Sequence, residues 1–447
     1  MRGPPAGQRL PRTVRVLVAA RAVNRLGAFS LPFLAVLITA RYDAAPATAG
    51  LVVAAFGLAT IPSRLAGGRL ADRLGRRRTM VAGLVGCAVA QSGLAAAPNL
   101  AVLVGFAVLL GLVFELYEPP SQAMIADAVG EAARVRAYSL LNAALAVAGL
   151  AAGVLAAGLG RWDLRWLFVA DAVTCLLCAL VVRVALPADR PGAGGQDRGG
   201  RTAVAPWRDR TLLAMLCTGT LFALVYLQIA VMLPLALDRR GLEPADAGLL
   251  LAVSALAIVG GQPLLRLEPL STRAAPAAFA AGGALLAAGL AGYAVAGSLA
   301  GYAVATVVWS LGDLLLVGRA LAVVAELAPP GGTGRYLAVY GTGWGIAGVA
   351  APLLGTQLLD RAGVAGMWSV LAGLCVVLAV VQPAVVRAAS ARGAASDPAR
   401  RRPRARGRRG ARPSAPRSLP GDPPQCAEAP EASPPPVAPP PGCPPAG

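Results

Sequence analysis

Apolar runs of about 20 residues recur along this chain from Arg12 to Arg387, and no other feature limits its possible folds so severely. A run of that length matches roughly 30 Å of hydrocarbon at about 1.5 Å rise per residue. In lipid each run must satisfy its own backbone polar groups, which a helix does and an isolated extended strand does not. The 56% of hydrophobic residues and the mean hydropathy of +0.63 agree with a bilayer as solvent. Soluble domains sit near 45–50% apolar even with Gly counted.

The runs predict helices at 13–39, 47–70, 79–97, 100–126, 137–159, 165–186, 211–237, 245–266, 274–297, 300–327, 335–359 and 364–387. The expectation is an all-α membrane protein of twelve spans in two six-helix pseudo-symmetric halves, 13–186 and 211–387. A short N-terminal segment, 1–12, precedes them. Between 187 and 210 the sequence turns to Pro, Gly, Asp and Arg without an apolar period and reads as a linker. From 388 to 447 it is Arg-rich and then Pro-rich, too poor in apolar residues to bury a core, and reads as a disordered tail. The Arg400 to Arg412 cluster in that tail is suited either to anionic headgroups or to plain solvation.

Arginine in short loops sets the orientation. Arg2, Arg9, Arg12 and Arg15 precede the first span, and Arg69, Arg73, Arg76, Arg77 and Arg78 surround the turn between the second and third. The opposite connections carry fewer, with Arg41 in the first and Arg161 and Arg165 in the third. Both termini are therefore expected in the cytoplasm and the chain in the plasma membrane. The net charge of +19 is spread over such loops and the tail, so nucleic acid is not an expected partner.

Cys87, Cys175, Cys178, Cys217 and Cys375 lie inside apolar runs, where a thiol acts as a small hydrophobe. The Cys175/Cys178 pair lacks further ligands nearby, and no metal or cofactor is expected. No phosphate loop, nucleotide fingerprint, zinc cluster or His-containing triad is present, and the chain has no His at all, so an enzyme is not expected. Asp127 and Glu326 end the fourth and tenth spans at an offset of 199 (326 minus 127), and Arg136 and Arg335 share it. An acidic helix end followed by a basic loop thus occurs once in each half, as an internal repeat requires.

Between spans two and three stands Gly68-Arg69-Leu70-Ala71-Asp72-Arg73-Leu74-Gly75-Arg76-Arg77-Arg78. A generic basic loop accounts for the arginines but not for the Gly, Asp and Gly spacing. The sequence resembles the loop motif of the major facilitator superfamily, and the resemblance extends from Arg15 to Arg387. Pro32-Phe33, Tyr226-Leu227-Gln228, Leu233-Pro234-Leu235 and Trp309-Ser310-Leu311-Gly312-Asp313 are similar to phrases of its drug:proton antiporter branch. The resemblance implies a conformational latch of Gly68, Asp72, Arg73, Gly75 and Arg76 acting with Asp127 and Arg136. Two features depart from the branch: Ala148 to Gly153 in span five lacks the usual Gly-Pro, and the second-half counterpart of the loop motif, Gly261 to Arg273, is degraded.

Ionisable groups inside spans are costly and mark functional candidates. Glu115 and Glu118 in span four share a face ahead of Pro119-Pro120, and Arg21 and Arg25 share one in span one beside Asn24. Counting from the same membrane face puts Arg25 level with Glu115 at roughly 16–18 Å and Arg21 level with Glu118 at about 12 Å. That count allows two depth-matched ion pairs, and two readings compete: the acids carry protons or bind a cationic substrate, or they neutralise the two Arg as structural pairs. Asp313, near the middle of span ten, has no depth-matched cation and is the preferred titrating group, whereas Asp171 reads as a structural or entrance acid. Cavity-lining spans one, four, seven and ten, as the family resemblance implies, would carry all of these except Asp171 of span six, together with Tyr226, Gln228 and Trp309. The leading expectation is a monomeric, proton-coupled efflux carrier for small amphipathic compounds. An uncoupled or importing permease and a non-transporting receptor are the competing readings.

Overall fold

A computed structural model describes residues 10–28, 33–159, 163–189, 206–243, 246–266, 275–329 and 331–396. Pro32, the middle of the linker, the tail beyond 396 and most of the degraded second-half loop lie outside the described residues.

The first half is built from α1 (Arg12–Gly27), α2 (Leu34–Tyr42), α3 (Pro46–Leu74), α4 (Arg76–Ala96), α5 (Leu100–Phe114), α6 (Glu118–Ala128), α7 (Glu131–Leu159) and α8 (Arg165–Ala185). The second half comprises α9 (Arg210–Asp238), α10 (Asp246–Gly260), α11 (Ala275–Val295), α12 (Leu299–Leu327) and the long α13 (Thr333–Ser396). Ten helices are long and apolar enough to cross a membrane among the described residues. The last of these joins two helices across Gly363, which breaks the helical backbone at φ 68°. With α1 and α2 taken as one interrupted crossing, the expected twelve spans are accounted for.

Local chemistry explains where the helices start and stop. Asn99 caps α5 by accepting from the Val102 N–H at 3.0 Å, and Ser298 and Asp209 cap α12 and α9 in the same way. The fourth span is not one continuous helix as expected. It breaks at Glu115–Tyr117 because Pro119 and Pro120 have no N–H to donate, and α6 restarts with those prolines in its first turn. The eighth span ends at Gly260 and continues as a short 3-10 turn over Gln262–Arg266.

Side chains divide as a bilayer requires. Val184, Val295, Val380 and Leu51 are all more than 70% exposed on helix surfaces, where water would penalise them and lipid does not. Within the first half, α4 packs on α5 and α8, and α1 lies against α7 and α8. Between the halves, α3 runs along α13, and α7 along α10 and α12. Small residues permit the close approaches: a Cβ added at Gly68 would stand 2.8 Å from the Ala338 Cβ, and one at Gly318 would meet Ser139.

Candidate functional site

On the first-half side, the buried Arg21 and Arg64 are paired with acids of the fourth span. The Arg21 guanidinium forms an ion pair with Glu118 and donates to Ser121 Oγ at 2.9 Å. It also lies 5.0 Å from the centre of the Tyr117 ring. Gln122 donates to the other Glu118 oxygen at 2.7 Å. The Tyr117 hydroxyl donates to Asn24 Oδ1 at 2.6 Å, and Asn24 donates to Cys175 Sγ at 3.3 Å. Further out, Gln91 donates to Asp171 at 2.5 Å, so Asp171 is tied into the packing of α4 and α8.

Glu115 corrects the depth count. Its partner is Arg64 of α3, at 2.7 Å, and not Arg25. The count treated span four as a straight helix, but Glu115 sits in the three-residue break after α5, which turns its side chain toward α3; Ser63 Oγ accepts from the Glu115 N–H at 3.1 Å. Arg64 itself is 7% exposed and reaches the other half, where Gly341 leaves the space its guanidinium fills. Arg25 is exposed, with no ion pair among the described residues, and a Cβ at Gly149 of α7 would lie 3.7 Å from its Nε.

The second-half side is different. Asp313 is 1% exposed and accepts one hydrogen bond, from Asn142 of α7 at 3.1 Å, across the boundary between the halves. Its Oδ1 is buried with no partner, and no ion pair among the described residues includes it. Beside it stands an aromatic wall drawn from three helices: Tyr226 is edge-on to Trp344 at 5.4 Å and to Trp309 at 6.3 Å, and Phe222 meets Trp344 at 6.3 Å. The Tyr226 hydroxyl lies within electrostatic reach of both Asp313 and Arg25. Trp309 spends its N–H on the Tyr293 hydroxyl at 2.9 Å, and Gln228 donates to the Ala351 carbonyl at 2.8 Å. Both donors are thereby committed to packing.

The loop between α3 and α4 is a single residue, Gly75, at φ 96°. A side chain there would be strained and would collide with Asp189. Asp189 accepts from the backbone N–H groups of Arg77 and Arg78 at 2.9 and 3.0 Å, capping the start of α4. Arg76 pairs with Asp127 of α6. Asp72 pairs with Arg335 of α13 at 2.7 Å, joining the halves; the Arg335 N–H is not aimed along that line, so the attraction is Coulombic. Arg73 is exposed, and Arg136 is half-buried at the start of α7. Arg64, Asn142, Trp344 and Asp189 were not singled out from sequence. Arg64 sits next to Ser63 at the end of a polar Pro-Ser-Arg break in an apolar span, the one local signal that could have found it.

A bundle of membrane-length helices in two packed halves, with buried charges where the halves meet, defines a polytopic carrier. The chain belongs to the Major Facilitator Superfamily, whose model matches residues 17–318. It is 26% identical over 360 residues to the MFS-type transporter YqjV of Bacillus subtilis, covering 77% of this chain and 86% of that one. It is 30% identical over 172 residues to the multidrug efflux pump LfrA of Mycolicibacterium smegmatis, covering 37% of this chain and 33% of that one. Its fold is like that of the human organic anion transporter MFSD10, with a TM-score of 0.68 at 18% identity over 85% of this chain and all of the other. The protein is thus a membrane transporter of small molecules, in a family of carriers and not of enzymes.

Proposed function

We propose that the protein is a proton-coupled efflux carrier for small amphipathic compounds, working by alternating access of a site between its halves. The observation that carries this reading is Asp313, a carboxyl group buried at the boundary between the halves with one oxygen unpartnered. A charge so placed is costly until a proton, a substrate or water reaches it, so its occupancy weighs differently on the two openings of the carrier. The Tyr226, Trp309, Trp344 and Phe222 wall supplies apolar contact for the substrate, and Arg25 a polar edge. The Asp72–Arg335 pair and the tight Gly68 contact hold the halves together at the arginine-rich end, which the loop charges assign to the cytoplasm. On this reading they form the latch of the outward-open state. The partial match to a multidrug efflux pump supports the direction of transport.

The test uses everted membrane vesicles, a panel of dyes and an imposed pH gradient. Asp313→Asn, which mimics the protonated acid, abolishes gradient-driven flux while substrate-for-substrate exchange persists. Wild-type gradient-driven flux in Asp313→Asn would remove the coupling role, and flux indifferent to the gradient in the unaltered protein would leave an uncoupled permease.

A further inference from the structure

A cavity lies away from the boundary between the halves, at the arginine-rich end between α4 and α8. It measures about 410 Å³ and is lined by Arg77, Arg78, Val81, Ala82, Val85 and Arg183. Arg77, Val81 and Val85 repeat at i, i+4 and i+8 along α4, and Arg78, Ala82 and Val85 at i, i+4 and i+7, so one helix face runs from guanidinium to aliphatic. That change takes roughly 12 Å along the helix. Arg183 stands opposite, in the last turn of α8.

Among the described residues, no ion pair neutralises the charges here: none includes Arg77, Arg78 or Arg183. Arg77 donates from Nη1 to the carbonyls of Leu186 and Arg183, at 3.2 and 3.4 Å, and its Nε is buried without a partner. The nearby acid, Asp189, has both oxygens engaged by the Arg77 and Arg78 backbone N–H groups. Among the described residues, three guanidiniums against one occupied carboxylate leave an excess of positive charge at the rim of a pocket whose floor is aliphatic. Such a profile along the membrane normal matches one kind of molecule, with an anionic phosphate outermost and hydrocarbon beneath.

We infer that this cavity binds an anionic glycerophospholipid, its phosphate among Arg77, Arg78 and Arg183 and its acyl chain along Val81, Ala82 and Val85. The inference rests on this end of the helices lying at the membrane surface and is independent of what the carrier transports. Its occupant also sits one residue from Arg76, the partner of Asp127, and beside the Gly75 turn that Asp189 holds. Bound lipid therefore stiffens the turn between α3 and α4.

The experiment takes the purified full-length chain, stripped of lipid in detergent, and titrates it with dioleoyl phosphatidylglycerol, dioleoyl phosphatidylcholine or glycerol 3-phosphate. Native mass spectrometry counts retained lipid, and thermal unfolding reports the gain in stability. Phosphatidylglycerol is expected to bind at unit stoichiometry to this site and raise the unfolding midpoint. The variant R78Q/R183Q is expected to weaken that binding at least tenfold, whereas R12Q/R15Q on α1 leaves it unchanged. Phosphatidylcholine and glycerol 3-phosphate are expected to give no gain in the same concentration range. Equal phosphatidylglycerol affinity in R78Q/R183Q and R12Q/R15Q would overturn the site, because the basic end would then be recruiting lipid without selectivity. An equal gain from glycerol 3-phosphate would also overturn it, because the ligand would be a soluble anion. Should R78Q/R183Q fail to fold, V85W decides: it fills the aliphatic floor from an exposed position, and phosphatidylglycerol retention unchanged by it sinks the proposal.

Discussion

The buried acids of the fourth and tenth spans, one in each half of this carrier, are held in opposite ways. In the first half, Arg21 with Glu118 and Arg64 with Glu115 cancel pairwise, with Gln122 donating to Glu118 and the Tyr117 ring lying against Arg21. In the second, Asp313 has no ion pair among the described residues and stands beside a wall of aromatic rings. A buried pair resists a change in either member, since neutralising one strands the other. A lone acid has no such restraint. The comparison therefore divides the proposed work: the first half supplies a fixed electrostatic frame, and the second the group whose charge can change.

The largest effect that would break this contrast lies in the first half. Glu118→Gln, which strands Arg21, is expected to destabilise the protein by about 3–5 kcal/mol, while Arg21→Met/Glu118→Leu loses far less. Double-mutant cycles on thermal unfolding in detergent check it; strictly additive losses would mean the pair is no frame. Asp313→Asn has no such partner to strand, so its unfolding midpoint should match or exceed that of the unaltered protein even as gradient-driven flux is lost.

A somewhat smaller effect is expected at the turn. Gly75→Ala forces a side chain into φ 96° and against Asp189, at a cost of about 1–3 kcal/mol, and Asp189→Ala should remove part of that excess cost. Chemical denaturation of the single and double variants measures the difference. Asp72→Asn costs less again, under about 1 kcal/mol for a partly exposed ion pair, yet it should slow transport several-fold if the pair with Arg335 governs switching. Turnover equal to the unaltered protein would leave the loop motif without that role. Least of all, Arg25→Gln should change stability by no more than about 0.5 kcal/mol, because the side chain is exposed and forms no ion pair among the described residues. Its effect should appear in the apparent affinity for anionic or zwitterionic compounds of the panel.

Some of the geometry at this candidate site was legible in the sequence. Arg21 and Glu118 emerged from a depth count because both lie on regular helix, where about 1.5 Å per residue holds. The count failed for Glu115 as soon as the helix broke, three residues being enough to re-aim a side chain at a different neighbour. Gly75 and Asp72 were recognisable because the loop motif is contiguous. Asp189, which completes the same turn from 112 residues away from Arg77, leaves no mark near it in sequence.

What the sequence determined by itself was whatever depends on each segment alone. Hydrophobic length set the helical class and the twelve crossings, loop arginines set the expected orientation, and the Gly and Asp spacing marked the superfamily, because these act within a turn or a span. Partnership was decided only in the tertiary structure. Whether Glu115 meets Arg25 or Arg64, whether Asp313 finds a cation or an amide, and whether Tyr226, Trp309 and Trp344 form one wall all depend on how helices are rotated about their axes and kinked against one another. Those rotations follow from the packing of side chains far apart in sequence, so no local pattern encodes them.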